Sequence, residues 1–190
     1  MSRDSTPPAP DAGGLYQAAL NHLARYAATE AGLRKVLMRR IDCWARLQPD
    51  ADAAAPVIQS ARLAVDAVVK RLAEAGAVSD TGFAESRARG LVRAGQSKRA
   101  IQMRLVAKGV APELARTASE TDPETELSAA LVLVRKRRIG PYRAAEDADP
   151  VMRMKELALL ARAGFPRDIA ERALDTDRDE AENRILELRR

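Results

Sequence analysis

Apolar residues recur every three or four positions along most of this chain, and polar residues fill the positions between them. After Thr29, for example, Leu33, Leu37 and Ile41 fall on one helical face, whereas Arg40 falls on another. This spacing matches the 3.6-residue period of an amphipathic α-helix. Residues with β-branched side chains form only short runs, so the pattern predicts an all-α protein without a sheet.

Helix start signals stand before most of these amphipathic segments. The hydroxyls of Thr29 and Ser97 are suited to capping, and Asp122 followed by Pro123 is a strong start signal. Proline is favoured in a first turn because its missing amide hydrogen has no acceptor there. We therefore expect further helices from Leu15 to about Ala28, from Pro56 to about Ala75, after Ser79 or Asp80, from Pro150, and after Asp177 with Glu180 three residues later.

Two segments of the chain share the sequence pattern of a corner between two helices. "RLVAKGVAPELARTA" at residues 104–118 and "LLARAGFPRDIAERA" at residues 159–173 align without a gap. Each places a glycine, Gly109 or Gly164, where a helix ends and another begins shortly afterwards, and Gly76 has a fainter version of the same spacing. Glycine suits this position because a helix C-terminus often requires a left-handed residue. Three such corners predict an elongated tandem array of three-helix repeats.

The predicted elements divide the chain into five parts. Each three-helix unit is small and buries little apolar area alone, so we expect neighbouring units to support one another. The parts are a disordered leader (residues 1–14), a first repeat (15–76), a second repeat (80–119), a third repeat (123–174) and a charged C-terminal helix (177–190).

Composition narrows the range of partners. The chain has 190 residues, a formal net charge of +5 and only 3% aromatic residues, with charges of both signs throughout. Such a surface favours either nucleic acid or an acidic protein groove. No apolar run approaches the roughly 20 residues of a membrane span, and the N-terminus lacks an apolar signal core. We expect a cytoplasmic monomer that binds neither membrane nor small-molecule substrate.

The motifs of common enzymes and cofactor sites are missing from the sequence. One cysteine, Cys43, and one histidine, His22, do not supply a typical zinc site, and we expect both to be structural, with Cys43 buried or half-buried. The stretch "GQSKRA" lacks the glycine spacing of a phosphate loop. "DTDRDEAENRIL" has neither the glycine nor the closing glutamate of a calcium loop. We therefore expect no catalytic residue, no metal and no cofactor.

The segment "RLAEAGAVSDTGFAESRARGLVRAGQSKRAIQMRLVAKGV" at residues 71–110 resembles the RecX family, the modulators of the RecA recombinase. The similarity extends over most of residues 15–174 and departs at residues 42–55, where "DCWARLQPDADAAA" replaces a shorter turn. It rests on the helix end from Leu72 to Gly76, Asp80 opening a helix, Phe83-Ala84-Glu85, the Gly-x-Ser link, and the spacing of Ile101, Leu105 and Gly109.

The resemblance implies a tandem array of three-helix repeats lying in the groove of a RecA filament on single-stranded DNA. It further implies that the chain limits filament growth, strand exchange and the associated ATP hydrolysis. Such an action requires no catalytic group, because a rigid array with basic faces can bridge filament subunits or contact DNA phosphates.

Two basic clusters are the candidate contact residues for RecA or DNA. Each also has a plain structural explanation, since cations stabilise helix C-termini and many surface charges are only solvated. Trp44 is a weaker candidate for base stacking, because a single tryptophan more often packs in a core. The middle cluster comprises Arg87, Arg89, Arg93, Lys98, Arg99, Arg104 and Lys108, and the second comprises Arg135, Lys136, Arg137, Arg138 and Arg143.

A helix-turn-helix transcriptional regulator is the alternative of a different class. It requires a recognition helix that exposes a compact set of base-reading side chains. The segments after the corners, "PELARTA" and "RDIAERAL", are short, apolar and acidic, and are typical of packing helices. Sequence-specific duplex binding would favour this alternative, whereas dependence on RecA would favour the modulator.

Overall fold

The computed structural model describes residues 8–143 and 149–190. Residues 1–7 of the predicted leader and residues 144–148 of the predicted third repeat lie outside the described residues. In the part that is described, the regular elements are helices, as expected, and none of these helices is long and apolar enough to cross a membrane. The elements are α1 (Ala12–Leu23), α2 (Glu30–Ala45), α3 (Ala51–Glu74), α4 (Asp80–Arg93), α5 (Lys98–Ala107), α6 (Pro112–Ala118), α7 (Pro123–Arg137), a 3-10 turn (Gly140–Tyr142), α8 (Pro150–Arg162), α9 (Arg167–Asp175) and α10 (Arg178–Arg189).

The chain separates into two compact units that divide within α4, after Phe83. In the first unit, α1, α2 and α3 pack against one another in pairs. The core between them consists of aliphatic residues with helical spacing, so burial of apolar surface holds it together. Its fully buried large side chains include Leu15, Leu33, Leu37, Ile41, Val69 and Leu72.

The start of α2 is capped twice. The Thr29 hydroxyl accepts a hydrogen bond from the Gly32 amide at 2.9 Å, as its place in the sequence predicts. The Asp80 carboxylate, from the first residue of α4, accepts a second bond from the Glu30 amide at 2.8 Å. Ser79 caps α4 itself, through the Gly82 amide at 3.1 Å. Asp80 therefore caps the N-terminus of α2 rather than that of its own helix, α4.

In the second unit, α5 packs against α6, and α7 forms the centre of the remaining helices. Helices α9 and α10 both pack on α7, and α8 packs on α9. The middle of α7 is buried on every side, from Leu127 to Val132, because it has neighbours around its circumference. A helix with neighbours on all sides requires apolar residues around its whole circumference, and the sequence "LSAALVLV" at residues 127–134 supplies them.

The C-terminal helix α10 is docked on α7. Asp177 caps it by accepting from the amides of Asp179 and Glu180. Of the apolar residues that can dock it, Ile185 is buried, whereas Leu186 is exposed and Ala181 takes the second buried position. Arg184 donates to Glu124 of α7 at 2.8 Å, and Arg172 of α9 donates to the same carboxylate at 2.6 Å. These two guanidinium groups hold the pKa of Glu124 below its ordinary value.

Two helices begin earlier than their start signals predict. Helix α1 starts at Ala12 and ends at Leu23, since Asp11 accepts from the Gly14 amide at 2.7 Å. Helix α3 starts at Ala51, capped by Asp50, and continues through Pro56. The alanines before the proline favour helix strongly enough to tolerate one missing backbone bond.

The glycine corners have the predicted left-handed conformation. Gly76, Gly109 and Gly164 have φ values of 70°, 90° and 90°, respectively. Helix α7 ends differently, at Arg138, a non-glycine residue with φ of 55°. The prediction for Cys43 was wrong, because its side chain is exposed on α2. His22 is half-buried beside Tyr26, with ring centroids 5.3 Å apart.

Candidate functional site: an arginine-lined cleft

The turn between α4 and α5 is anchored by one buried hydroxyl. Ser97 caps α5 by accepting from the Ala100 amide at 3.2 Å. The same hydroxyl donates to the carbonyl of Ala163, at the end of α8, at 2.7 Å. Gly164 allows this approach, because a Cβ there would lie 2.7 Å from the Ser97 oxygen and 3.4 Å from the Cβ of Arg99. The first turn of α5 is therefore seated against the corner after α8.

Helix α7 holds the other side of the same turn. The Glu126 carboxylate accepts from the Lys98 amide, the first of α5, at 3.3 Å. Lys136 donates to the Ala94 carbonyl, at the end of α4, at 2.7 Å. Each side chain carries a charge opposite to the partial charge of the helix end that it contacts, so both contacts are favourable. The cleft beside this turn is therefore lined by elements that are fixed to one another.

Glu126 provides a test of this junction. Burial raises the pKa of Glu126 above its ordinary value, and the Lys98 amide and charge offset the rise only partly. Because the native pKa of Glu126 is raised, ionising its carboxyl lowers the stability of the fold once the pH rises above the ordinary pKa of 4.5. We expect Glu126→Gln, which keeps the acceptor, to gain stability relative to wild type between pH 4 and pH 7, as measured by urea unfolding. If the variant is less stable than wild type at pH 7 but not at pH 4, the ionised carboxylate stabilises the start of α5 and this expectation is wrong.

A cleft of about 690 Å³ opens beside this junction. Its walls come from the turn after α4, the outer face of α5, the end of α7 and the end of α8. Among the described residues that line it, four are arginines, and none is an aspartate or glutamate. The lining residues are Gly95, Gln96, Arg99, Ala100, Met103, Arg104, Leu133, Arg137, Ala161, Arg162, Ala163 and Gly164.

The four cleft arginines are exposed, and within residues 8–143 and 149–190 none of them forms an ion pair. Arg104, Arg137 and Arg162 lie in the last turns of their helices, where a cation also stabilises the helix dipole. Arg99 does not, because it is the second residue of α5, at the positive end of that helix. The position of Arg99 opposes the dipole, so helix stability does not explain it.

The four consecutive cations at the end of α7 have four different surroundings. Arg135 pairs with Glu182 of α10 at 2.9 Å, and Lys136 caps α4. Arg137 lines the arginine cleft, whereas Arg138 lines a separate depression. Consecutive helical residues point about 100° apart, which explains the divergence. Only Arg137 of this run joins the cleft.

The remaining candidates are also dispersed. Of the middle cluster, Arg99 and Arg104 line the cleft, Lys98 pairs with Glu120, and Lys108 is exposed at the end of α5. Arg143 forms a nearly buried pair with Glu156, at 2.5 Å. This pairing gives Arg143 a structural role. Arg87, Arg89 and Arg93 are exposed on α4 and do not line the cleft.

Sequence reasoning missed Arg162. It lies two residues before Gly164, within the repeated corner, but it stands alone in an apolar stretch and belongs to neither dense cluster. The signal that could have found it is its position in the last turn before a predicted corner. A cation there projects beside the neighbouring repeat if the corners stack.

A second depression of about 450 Å³ lies between the end of α7 and α8. Ile139, Met152 and Leu159 give it an apolar lining, and Arg138 and Lys155 add positive charge. Its wall also includes the Arg143–Glu156 pair, whose charges cancel. It is less basic than the arginine cleft.

Comparison with known proteins agrees with the helical arrangement. The family model described as "RecX, second three-helix domain" matches residues 79–118. A protein named "Regulatory protein RecX" from Myxococcus xanthus is 36% identical over 165 residues, which cover 86% of this chain and 85% of that protein. The chain belongs to the RecX family. The resemblance noted in the sequence is therefore confirmed.

This RecX-family chain has two further matches, one to a sequence and one to a solved structure. "Regulatory protein RecX" from Agrobacterium fabrum is 40% identical over 108 residues, or 56% of each protein. The crystal structure of RecX from Lactobacillus salivarius superposes with a TM-score of 0.64 and 20% identity, covering 93% of this chain and 99% of that one. At that identity, the structural match supports the fold alone.

Proposed function

We propose that this RecX-family chain is a cytoplasmic regulator that binds the RecA filament on single-stranded DNA. In this proposal it limits filament growth, strand exchange and ATP hydrolysis by occupying the filament groove. It acts by binding and supplies no catalytic group. The proposal treats residues 15–76, 80–119 and 123–174 as its three repeats.

The arginine cleft is the observation that supports this function most directly. Four exposed guanidinium groups surround a cleft without a lining carboxylate among the described residues, so its potential is positive. A filament of RecA on DNA presents both phosphates and protein carboxylates, and either would be attracted. The hydrogen bonds made by Ser97, Glu126 and Lys136 keep the cleft in shape before a partner arrives.

The helix-turn-helix alternative is less compatible with the structure. Helix α9, which follows the second corner, buries Ile169, Ala170, Ala173 and Leu174 against its neighbours. Helix α6, which follows the first, has only seven residues. Helix α6 is thus shorter than a recognition helix requires, and the exposed side of α9 carries Asp168 and Asp175, whose charges oppose contact with DNA phosphates.

The test is inhibition of the DNA-dependent ATP hydrolysis of RecA. The cleft variant carries Arg99→Glu with Arg162→Glu. We expect at least about a tenfold rise in the concentration giving half-maximal inhibition, equivalent to about 1.4 kcal/mol. The fold should be retained, because neither arginine has an internal ion pair among the described residues. Circular dichroism checks the helicity.

A matched control carries Arg39→Glu with Arg40→Glu, the same change in charge on α2 outside the cleft and outside both basic clusters. It should inhibit within about twofold of wild type, since exposed charges at a distance are screened by salt. Equal inhibition by wild type and the well-folded cleft variant would contradict the role of the cleft. A wild-type chain without any effect on RecA would contradict the proposed function itself.

A further inference from the structure

The second depression, between the end of α7 and α8, has a lining that the proposed function does not use. It shares no lining residue with the arginine cleft. Ile139, Met152 and Leu159 form its apolar part, and Met152 is 43% exposed. Three cations and one carboxylate complete the lining, so two positive charges, on Arg138 and Lys155, remain uncompensated. The depression therefore combines an apolar contact with an attraction for anions.

Arg138 occupies a backbone position where this chain otherwise has glycine. Helices α3, α4, α5, α7 and α8 all end with the same hydrogen bond, in which an amide donates to the carbonyl five residues earlier. The residue before that amide has a positive φ and is Gly76, Gly95, Gly109 or Gly164 in four of these helices, but it is Arg138 in α7. A Cβ is unfavourable in this left-handed conformation. Local stability favours glycine here and does not account for the arginine.

The helix dipole does not account for the two uncompensated cations either. Arg138 follows Arg135, Lys136 and Arg137, which already place three cations in the last turn of α7. Lys155 lies in the first half of α8, away from the helix end that a cation stabilises. Both side chains are exposed, and neither has an ion pair within the part of the chain that the structure describes. They are available to an anion from outside the chain.

The wall of the second depression is held in place before a partner arrives. Arg143 donates to both oxygens of Glu156 on α8, and the Gly140 amide donates to the same carboxylate. The Glu156 side chain is only 6% exposed, so this contact joins α8 firmly to the turn after α7. A preformed wall lowers the entropy cost of binding.

The balance of apolar and charged lining favours a protein partner over a nucleic acid. A nucleic-acid backbone presents regularly spaced phosphates, and its affinity grows with the number of cations that meet them. The second depression instead places two available cations beside three aliphatic side chains. Methionine adapts its shape to many apolar side chains, which suits a contact of this kind. Carboxylates on either side of a bulky apolar residue match this arrangement.

We propose that the second depression docks an acidic segment of a partner protein. A bulky apolar side chain of that segment packs against Ile139, Met152 and Leu159, and its carboxylates meet Arg138 and Lys155. The inference goes beyond the proposed function, because this docking uses none of the residues of the arginine cleft. A chain with both surfaces can hold two partners at once.

The experiment is fluorescence anisotropy with the full chain and a fluorescein-labelled peptide, in which a central leucine and phenylalanine are flanked on each side by glutamates. In one control peptide serines replace the apolar pair, and in another glutamines replace the glutamates. We expect each control peptide to bind at least about fivefold more weakly, because it lacks the apolar contact or the ion pairs. Neither RecA nor DNA is present, so failure of the proposed function would leave this result unchanged.

Three variants of the chain test the second depression itself. Arg138→Gly should weaken binding of the acidic peptide about three- to fivefold, whereas its midpoint of urea unfolding should equal or exceed that of wild type. These opposite directions separate a binding role from a structural one. Lys155→Glu should weaken binding at least about tenfold, because it replaces attraction with repulsion. Met152→Ser should weaken it about fivefold through lost apolar contact.

Two further variants are matched controls. Met154→Ser changes a methionine of the same helix that is 65% exposed but does not line the depression. Lys35→Glu makes the same charge reversal at an exposed position of α2. Both should bind the acidic peptide within about twofold of wild type, since neither residue contacts the site and distant charges are screened.

Several outcomes would overturn the inference. They include no binding of the acidic peptide by wild type, equal binding of all three peptides, and equal weakening by site and control variants. If Lys155→Glu and Met152→Ser weaken binding of labelled oligo(dT) as much as binding of the peptide, the depression belongs to a nucleic-acid surface instead. If sedimentation equilibrium shows a dimer that Met152→Ser abolishes, a second copy of this chain covers the depression and the proposed partner is wrong.

Discussion

Replacing Gly164 with alanine is expected to lower the free energy of unfolding by roughly 2–4 kcal/mol. Its φ of 90° costs any residue with a Cβ about 1–2 kcal/mol. The new methyl group would also lie 2.7 Å from the Ser97 oxygen, so the corner must shift and the Ser97–Ala163 bond must weaken. Overpacking and the lost bond add about 1–2 kcal/mol. Urea unfolding followed by circular dichroism measures the change.

Gly76→Ala is the matched control. Gly76 has φ of 70°, but nothing lies within 4 Å of an added Cβ, so we expect only about 1 kcal/mol. Ser97→Gly should partly rescue Gly164→Ala, because it removes the oxygen that the methyl group meets. A coupling of about 1 kcal/mol in this double-mutant cycle is expected. Equal losses at Gly76 and Gly164, without coupling to Ser97, would show that the α8 corner is not seated on α5 as described.

Replacing Arg143 with methionine is expected to cost roughly 3–5 kcal/mol of stability, because it leaves the buried Glu156 carboxylate without its cation. The Glu156 side chain is only 6% exposed, and Arg143 donates to both of its oxygens, at 3.3 and 2.5 Å. The Gly140 amide donates to the same carboxylate at 3.4 Å. Urea unfolding again measures the loss.

Adding Glu156→Gln to Arg143→Met should restore much of the stability, since the neutral amide still accepts from Gly140 and no charge is buried. The control is Arg153→Met on α8, the helix that also carries Glu156. Arg153 pairs with Asp175 through two bonds, at 2.7 and 2.8 Å, but the two side chains are 38% and 59% exposed, so we expect a loss of at most about 1 kcal/mol. Similar losses for Arg143 and Arg153 would contradict the structural role of Arg143.

Most helix starts were predictable from local signals, although the start of α1 was predicted too late because its cap, Asp11, was not recognised. Thr29, Ser97, Asp122 and Asp177 all cap helices through amides two or three residues ahead. The start of α3 was predicted too late, because Pro56 is a local signal in competition with Asp50 and the alanines that follow it. Which signal prevails depends on the whole helix, whose inner face must pack on α1 and α2.

The site was only partly predictable because convergence of charges is a property of packing. The sequence shows Arg137 in a dense run and Arg99 in a looser one, and both line the cleft. It does not show that Arg135 and Lys136 have partners outside α7, nor that Arg162 lines the same cleft as Arg99. Density along the chain therefore located three of the four cleft arginines, but it did not separate them from cations that lie elsewhere.

The Asp80 contact bears on the order in which the chain becomes competent to fold during synthesis. The Asp80 carboxylate accepts its hydrogen bond from the amide of Glu30, 50 residues earlier in the chain. When the ribosome has released α1, α2 and α3, the start of α2 still lacks its second acceptor. A nascent chain that stops at Gly76 contains every helix of the first bundle but not this bond, whereas one that reaches Phe83 contains both. Emergence of the first turn of α4, rather than completion of α3, thus marks the point at which the first unit is fully capped.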